Sequence, residues 1–591
     1  MDMRQKYLAW VYDFGNNKIH GKSVIDYFKM KDGLSFWWMS LFVEKSPWKS
    51  PGIIDAIRLF ALEDLLLKNK PELVQFSSAS RELHKVVKDL CDNLSIKFEG
   101  KVLKRKSISR PKIKVLYYLL PHSLRALYHF SRYVYDRWPL RSKKKIRPVQ
   151  TSEPSVFFLS YFIYPKKDRL QQDEFYNHYW DTLPTLLHEN GIQTNWLEHY
   201  LENSTSSSAS DALKYLEDTT GKNIRGGFHY FLDSFLSLKV LLKVLVNIIS
   251  IQIKTVKITN LKNLFIPKGA HFNLWPIMKN DWYSSFNGAS AVKNLLIVEL
   301  IDEALKAVPQ QNVGLYVSEN QSWERAFIYR WKKHHNKKLI AVAHSTVRFW
   351  DLRYFNDDRT FKIEKNNALS LPRPHYTALN GKKAVEFFLE TKFPENEAIK
   401  CEALRYCSLI NTQNKVELTH IDRSKFNVFV LGDYMDDGIE KMMSVLLDTY
   451  RFSSEDIQLT LKPHPHRPIR LEDYPDLDLT IVTNPLSEIL HNFDMAYAGN
   501  LTSAAIDAYL SNLPVAIFLD DTTLNFSPLR GARGVFFIHD ARDLDQTIKA
   551  VKSGKVDKNT DAEEFFYLEK DLPRWKELLL SQENSNFPEE L

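Results

Sequence analysis

The chain has 591 residues, 44% of them hydrophobic and 13% aromatic, so it is globular and too long for a single core; two or three domains are expected. Three cysteines, Cys91, Cys401 and Cys407, show neither CxxC nor metal-ligand spacing and suit a reducing compartment without a disulfide framework. The net charge of +8 is concentrated: Lys97 to Arg147 carries sixteen Lys or Arg against Glu99 and Asp136, which leaves the remainder at −6.

In chain order, the start (MDMRQKYLAWVYDF) lacks the basic-then-apolar pattern of a signal peptide, and Tyr7 to Tyr12 predicts a short apolar strand. Gly52 to Leu67 predicts a helix, Leu73 to Phe76 a strand, Ser80 to Leu90 a helix and Leu94 to Phe98 a strand. The basic stretch follows. Its lysines and arginines are interleaved with Tyr117, Tyr118, Tyr128, Phe130, Tyr133, Tyr135 and Trp138, a pattern that suits an anionic membrane surface. The leucines among them argue against nucleic acid as the partner. Ser155 to Tyr164 predicts a buried strand, Gln171 to Glu189 a helix, the stretch around Thr194 to Leu197 a strand, and Ser204 to Ser210 a polar loop. Leu232 to Ile251 predicts a helix whose polar residues Lys239, Lys243, Asn247 and Ser250 form one narrow stripe, expected to be buried or interfacial rather than membrane-spanning.

Asn312 to Ser318 and Lys338 to Ala343 predict strands, and a helix follows Asn380. A second set of strands is expected at Phe426 to Leu431, Ile457 to Leu461, Leu479 to Val482, Met495 to Ala498, Pro514 to Phe518 and Gly534 to Ile538. Strands alternating with helices imply parallel sheets. The expected fold is therefore α/β with two Rossmann-like lobes facing a central cleft, 1–415 and 416–591, and with a basic, aromatic insertion at about 97–150 in the first.

Candidate functional residues cluster at strand ends, where α/β sheets bind ligands. In the second lobe these are the loop Gly432 to Gly438, including Asp437 and Gly438, and KPHPHRP with Lys462, His464, Pro465 and His466. The turn holding Asn500, Thr502 and Ser503 comes next, with Asp507 one helical turn on. Lysine, histidine and hydroxyl donors beside a helix start suit a phosphate, and Asp507 suits ribose hydroxyls. In the first lobe, Glu319 and Glu324 follow one strand, and His344, Arg348 and Asp351 follow the next. A carboxylate and a histidine at adjacent strand tips can divide the activation of a hydroxyl, although Glu324 also fits a helix cap. The loop Glu44 to Pro51, with Glu44, Lys45 and Lys49, suits acceptor or phosphate contact. There is no GxxxxGK[ST] loop, no GxGxxG after a strand and no convincing Asp-x-Asp metal clamp; Asp520-Asp521 follows a strand but stands alone, and His464 and His466 have no evident third metal ligand.

With these pieces placed, the chain resembles two-Rossmann-lobe (GT-B) glycosyltransferases. Asp436-Asp437-Gly438, His464-Pro465 and Thr502-Ser503 resemble the motifs of bacterial sialyltransferases and Kdo transferases. SFWWMSLFVEKSPWKSP (Ser35 to Pro51), YVSENQSWERA (Tyr316 to Ala326) and AHSTVRFWDLRYF (Ala343 to Phe355) are similar to a bacterial family of surface carbohydrate biosynthesis proteins. The resemblance implies a CMP-activated ulosonic acid donor, a CMP phosphate held by His464 and the Thr-Ser pair, a lipid-linked glycan acceptor, no metal cofactor, and a place on the inner face of the cell membrane. The acid best placed for catalysis is Glu319, where those families use an aspartate. A CDP-glycerol-type polyol phosphotransferase and a non-catalytic assembly protein are the alternative expectations.

Overall fold

The computed structural model describes residues 2–104, 117, 119–141, 154–162, 176–202, 208–223, 227–365, 367, 369–409, 415–433, 435–453, 456–464, 467, 469–556 and 562–580. Contacts divide the chain into two compact units. One comprises Met1–Ala343, Leu352–Ala378 and Phe388–Ile399; the other comprises His344–Asp351, Leu379–Phe387 and Lys400–Leu591. Compared with a division at 415/416, the stretch carrying His344, Arg348 and Asp351 thus groups with the second unit.

The first unit opens on helix α1 (Met3–Asn16) and helix α2 (Gly52–Asn69). The strand expected at Tyr7 to Tyr12 is part of α1. Tyr7, Leu8, Val11 and Phe14 recur at helical spacing, and Asp2 caps the first turn by accepting the Arg4 N–H. Phe14 sits in a nest of rings made by Trp37, Phe42, Phe265 and Trp282. Burial against partners distant in sequence decides the helix over the strand.

Strands β1 (Leu73–Ser78) and β2 (Lys97–Val102) pair in parallel with each other alone. β2 starts three residues after the expected Leu94, because the intervening helix runs on to Asn93 and Ser95 then takes a left-handed turn (φ 56). The basic stretch contributes helix α3 (His122–Arg137), while Tyr118 and Lys143 to Arg147 lie outside the described residues.

The main sheet of the first unit contains β3 (Ser155–Phe162), β4 (Gln193–Tyr200), β5 (His229–Phe231), β6 (Val313–Val317), β7 (Lys338–Val342), β8 (Tyr376–Leu379) and β9 (Ala398–Lys400). Their order is β9-β8-β7-β6-β3-β4-β5, with parallel pairing from β8 through β5. Strand order reverses between β3 and β6, the position where doubly wound sheets open a ligand crevice. Of the helix expected at Gln171 to Glu189, only Leu183–Glu189 is helical among the described residues, and the start lies outside them. Most of the Ser204 to Ser210 loop also lies outside. Helix α4 (Leu238–Val256) starts six residues later than expected, after a short 3₁₀ turn. Helices α5 (Trp275–Asn287) and α6 (Ala289–Ala307) show no clear signal; α6 buries thirteen of its nineteen residues, Asn294, Glu299 and Asp302 among them, and a helix buried on most sides shows little periodicity. Helix α7 (Ser322–His334) follows β6.

The second unit holds β10 (Phe426–Leu431), β11 (Ile457–Lys462), β12 (Leu479–Ile481), β13 (Met495–Gly499), β14 (Val515–Phe518) and β15 (Val535–Ile538). All pairs are parallel, in the order β12-β11-β10-β13-β14-β15. Counted from its first strand this is 3-2-1-4-5-6, the dinucleotide-fold order, with the reversal between β10 and β13. Both faces are covered, which is why the strands read as near-continuous apolar runs. Val428, Val430, Leu459 and Tyr497 pack with Met442, Met443 and Leu446 of helix α8 (Asp436–Ser453). Phe429, Leu431, Ala498 and Ile517 pack with Ile506 and Tyr509 of the seven-residue helix α9 (Ala504–Leu510).

Candidate active site

In the second unit the tips of β10, β11 and β13 close around Asp433. This side chain is 3% exposed, and its Oδ2 accepts the Leu501 N–H at 3.1 Å across the strand-order reversal. Two glycines allow the close approach, Gly499 to Asp433 itself and Gly432 to the β11 tip. At Gly499 a Cβ would stand 2.6 Å from both Cβ and Cγ of Asp433; at Gly432 it would stand 3.0 Å from the His464 nitrogen. The Gly432 N–H donates to the Lys462 carbonyl at 3.0 Å, which fixes the β11 tip beside that of β10. Gly438, in the first turn of α8, is on the same side: a Cβ there would lie 3.9 Å from Asp433 Oδ2.

Beyond β13, Asn500 is buried. Its Nδ2 donates to the Leu524 carbonyl at 2.9 Å, and its Oδ1 has no hydrogen-bond partner among the described residues. Thr502 Oγ1 accepts the Ala504 N–H. Ser503 Oγ accepts from Arg348 Nη2 at 3.1 Å, while Arg348 Nη1 donates to the Leu501 carbonyl at 3.0 Å. Arg348 thus grips the turn that sequence assigns to a phosphate. His344 and Asp351 are buried in this unit on either side of it, and the Asp351 N–H closes a turn on the Arg348 carbonyl.

Two expectations change here. Lys462 turns its ammonium to the carbonyls of Thr483 and Asn484 beyond β12, so it braces a loop and is not aimed at Ser503. Burial lowers its pKa. Asp507 keeps some exposure as a residue, but its Oδ1 is buried without a hydrogen-bond partner, and burial, opposed by the Arg405 charge, pushes its pKa up to about 7. Burial works against the ionised carboxylate that would accept two ribose hydroxyls. His464 is partly exposed at the β11 tip, its carbonyl accepting the Arg467 N–H at 2.8 Å. Pro465, His466 and the side chain of Asp437 lie outside what is described.

In the first unit, residues of the loop Glu44 to Pro51 meet the β6–α7 connection and the residues just after Leu352. Asn320, held left-handed at φ 52, donates from Nδ2 to the carbonyls of Val43 and Glu44. Asn tolerates that conformation better than most residues. Lys49 pairs with Glu44 and donates to Gln321 Oε1 at 2.5 Å, and Gln321 Nε2 donates to Glu319 Oε2 at 3.4 Å. Arg353 lies over the Trp48 ring, 4.8 Å from its centre, and Tyr354 OH donates to the Ser318 carbonyl. Glu319 therefore stands at the β6 tip in a chain of polar side chains, partly exposed. Beside it Tyr161 OH accepts from Trp323 Nε1 at 2.8 Å, and the Trp323 ring lies 4.7 Å from that of His199. Burial, then the charges of Lys293 and Arg137, hold the His199 imidazole down near a pKa of about 3.

Glu324 is a cap. Its Oε1 accepts the N–H groups of both Glu319 and Gln321, completing a capping box at the start of α7. It is 2% exposed, and burial pushes its pKa up to about 8, with Arg325 and the two backbone bonds opposing and Glu319 adding. Lys45 is also structural. It donates to the Val43 carbonyl and to Asn356 Oδ1 at 3.2 Å, and burial drives its ammonium down to about 7. Asp433, Asn320, Tyr161 and His199 had not been singled out. The Gly-Asp pair after a strand is the available signal for Asp433; the cluster of Tyr161, His199 and Trp323 joins β3, β4 and α7 and has none. Among the described residues no group of three His, Cys, Asp or Glu side chains could hold a metal ion.

No family model and no curated protein matches the sequence. Among solved structures the chain is similar to the UDP-GlcNAc 2-epimerase from Methanocaldococcus jannaschii, with 10% identity over 71% of this chain and 97% of that one and a TM-score of 0.38. It is also similar to CalG4, the calicheamicin glycosyltransferase (8% identity, 73% and 95% covered, TM-score 0.40), and to a glycosyltransferase from Rickettsia africae ESF-5 (11%, 73% and 100%, TM-score 0.37). Likenesses this distant carry no argument about activity.

Proposed function

We propose that this chain is a glycosyltransferase whose second unit binds a nucleotide-activated sugar. The observation that carries the reading is the closure of three strand-tip loops around Asp433 at the reversal of a 3-2-1-4-5-6 parallel sheet, without the glycine fingerprint of a dinucleotide site. The donor we propose is a CMP-activated ulosonic acid, and the acceptor is a hydroxyl of a lipid-linked glycan. In that reaction the bond from the anomeric carbon to the CMP phosphate oxygen breaks, the acceptor oxygen bonds to that carbon, and CMP departs carrying the electron pair. His464, Thr502 and Ser503, the last oriented by Arg348, would meet the charge that grows on the phosphate, so that metal is not required. We assign Glu319 of the first unit the acceptor's proton, because it is the partly exposed carboxylate at the β6 tip, whereas Glu324 is spent as a cap.

The test is alanine replacement of His464 and Glu319, separately, with glycan transfer measured in a deletion strain and with the purified chain. Each variant is expected to lose at least about 100-fold in rate. Full transfer by both would overturn the reading.

A further inference from the structure

Helix α4 carries an outward row of large apolar side chains: Leu238, Leu242, Val246, Ile249, Ile253 and Val256, from 49% exposed at Ile253 to 80% at Val256. Their spacings of four, four, three, four and three put them on one line along a nineteen-residue helix of about 28 Å. The opposite face, Val240, Val244, Ile251 and Thr255, is buried, and the helix packs on α5 and α6. Among the described residues no helix is long and apolar enough to cross a membrane, and one face of α4 is already occupied by protein. A continuous apolar row of this length on a surface calls for an occupant.

Charge identifies it. From residue 234 to residue 280 the sequence has seven lysines, Lys239, Lys243, Lys254, Lys257, Lys262, Lys268 and Lys279, and no Asp or Glu. Lys239 and Lys243 are matched by Glu299 and Glu303 of α6. Lys279 is matched by Glu82. Lys257, Lys262 and Lys268, at and beyond the C-terminal end of the row, are exposed and have no carboxylate partner among the described residues. A second copy of the chain would set a lysine-bearing, acid-free helix against itself. An anionic lipid surface satisfies both features, with apolar side chains entering the acyl boundary and ammonium groups remaining among the headgroups.

We infer that α4 lies in the plane of an anionic membrane and docks the chain there through this row. The inference rests on a surface distant in sequence from the proposed catalytic residues, and its test reads no activity, so either reading can fail alone. The full chain is spun with vesicles of phosphatidylcholine, with and without phosphatidylglycerol. Wild type is expected to sediment with the anionic vesicles, and the triple variant Leu242→Glu, Val246→Glu, Ile249→Glu to lose more than about tenfold in partition with an unchanged melting curve. In the single variant Leu242→Trp, the indole emission should shift to the blue when anionic vesicles are added. Unchanged partition of the triple variant, or no shift from the added indole, overturns the inference. So does a solution dimer that the triple variant splits while wild type ignores vesicles.

Discussion

Replacement of Gly499 by alanine is expected to destabilise the second unit by about 3 kcal/mol and to weaken nucleotide binding at least tenfold. The new methyl would stand 2.6 Å from Cβ and Cγ of Asp433, whose side chain is buried and held by the Leu501 N–H. It cannot swing into solvent without leaving that N–H unpaired. Asp433→Ala by itself should cost about 2 kcal/mol, the penalty of an unsatisfied buried donor. The decisive comparison is the pair: with Asp433 shortened to alanine, the methyl of Gly499→Ala loses its clashes with Cγ and Oδ2 and keeps only the one with Cβ, so part of the strain is relieved. The double variant should therefore be more stable than the sum of the singles by at least about 1 kcal/mol. Urea unfolding of the four proteins measures this. Strict additivity would mean that Asp433 and Gly499 do not share the contact on which the geometry of the site rests.

The second large effect is a pH dependence carried by Glu324. Its folded pKa of about 8 lies above the ordinary carboxylate value, so between the two the folded state holds a proton that the unfolded state has released. The sign follows: this contribution is fully present below about pH 4.5 and is lost as pH rises toward 8, a change of about 5 kcal/mol in the stability of the first unit. Glu324→Gln keeps an oxygen for the N–H groups of Glu319 and Gln321 but cannot ionise. Relative to wild type the variant should be near neutral at pH 5 and clearly more stable at pH 9, as read by denaturant unfolding at each pH. Parallel stability–pH curves for the two proteins would contradict the burial of a protonatable group at this cap. Asp507 titrates in the same sense in the second unit and Lys45 in the opposite sense in the first, so the difference between variant and wild type, not the raw curve, isolates Glu324.

The strands of the second unit were legible because a doubly covered parallel sheet turns each into a short apolar run between loops, as at Phe426 to Leu431. Tyr7 to Tyr12 shows the limit of that signal. Six apolar residues fit either a strand or one and a half helical turns, and rings contributed from Phe42 to Trp282 decide between them. Side-chain direction was less legible than position. Lys462 falls at a strand tip as expected, yet its partners are carbonyls at Thr483 and Asn484, on a loop with no distinguishing sequence. Glu324 fits the capping-box spacing from Gln321 to the first turn of α7, so its structural role could be read alongside the catalytic one. The meeting of Lys49, Gln321 and Glu319 joins segments some 270 residues apart, which spacing along the chain does not encode.

We propose that the second unit holds a cytidylate at the loops around Asp433. Calorimetric titration of the full chain with CMP, CDP and UMP addresses it directly, repeated with His464→Ala and Ser503→Ala. Saturable binding is expected, with CMP preferred over CDP and UMP and with each variant weakened by about tenfold or more. No saturable binding of any of the three, or equal CMP affinity in wild type and both variants, would contradict it.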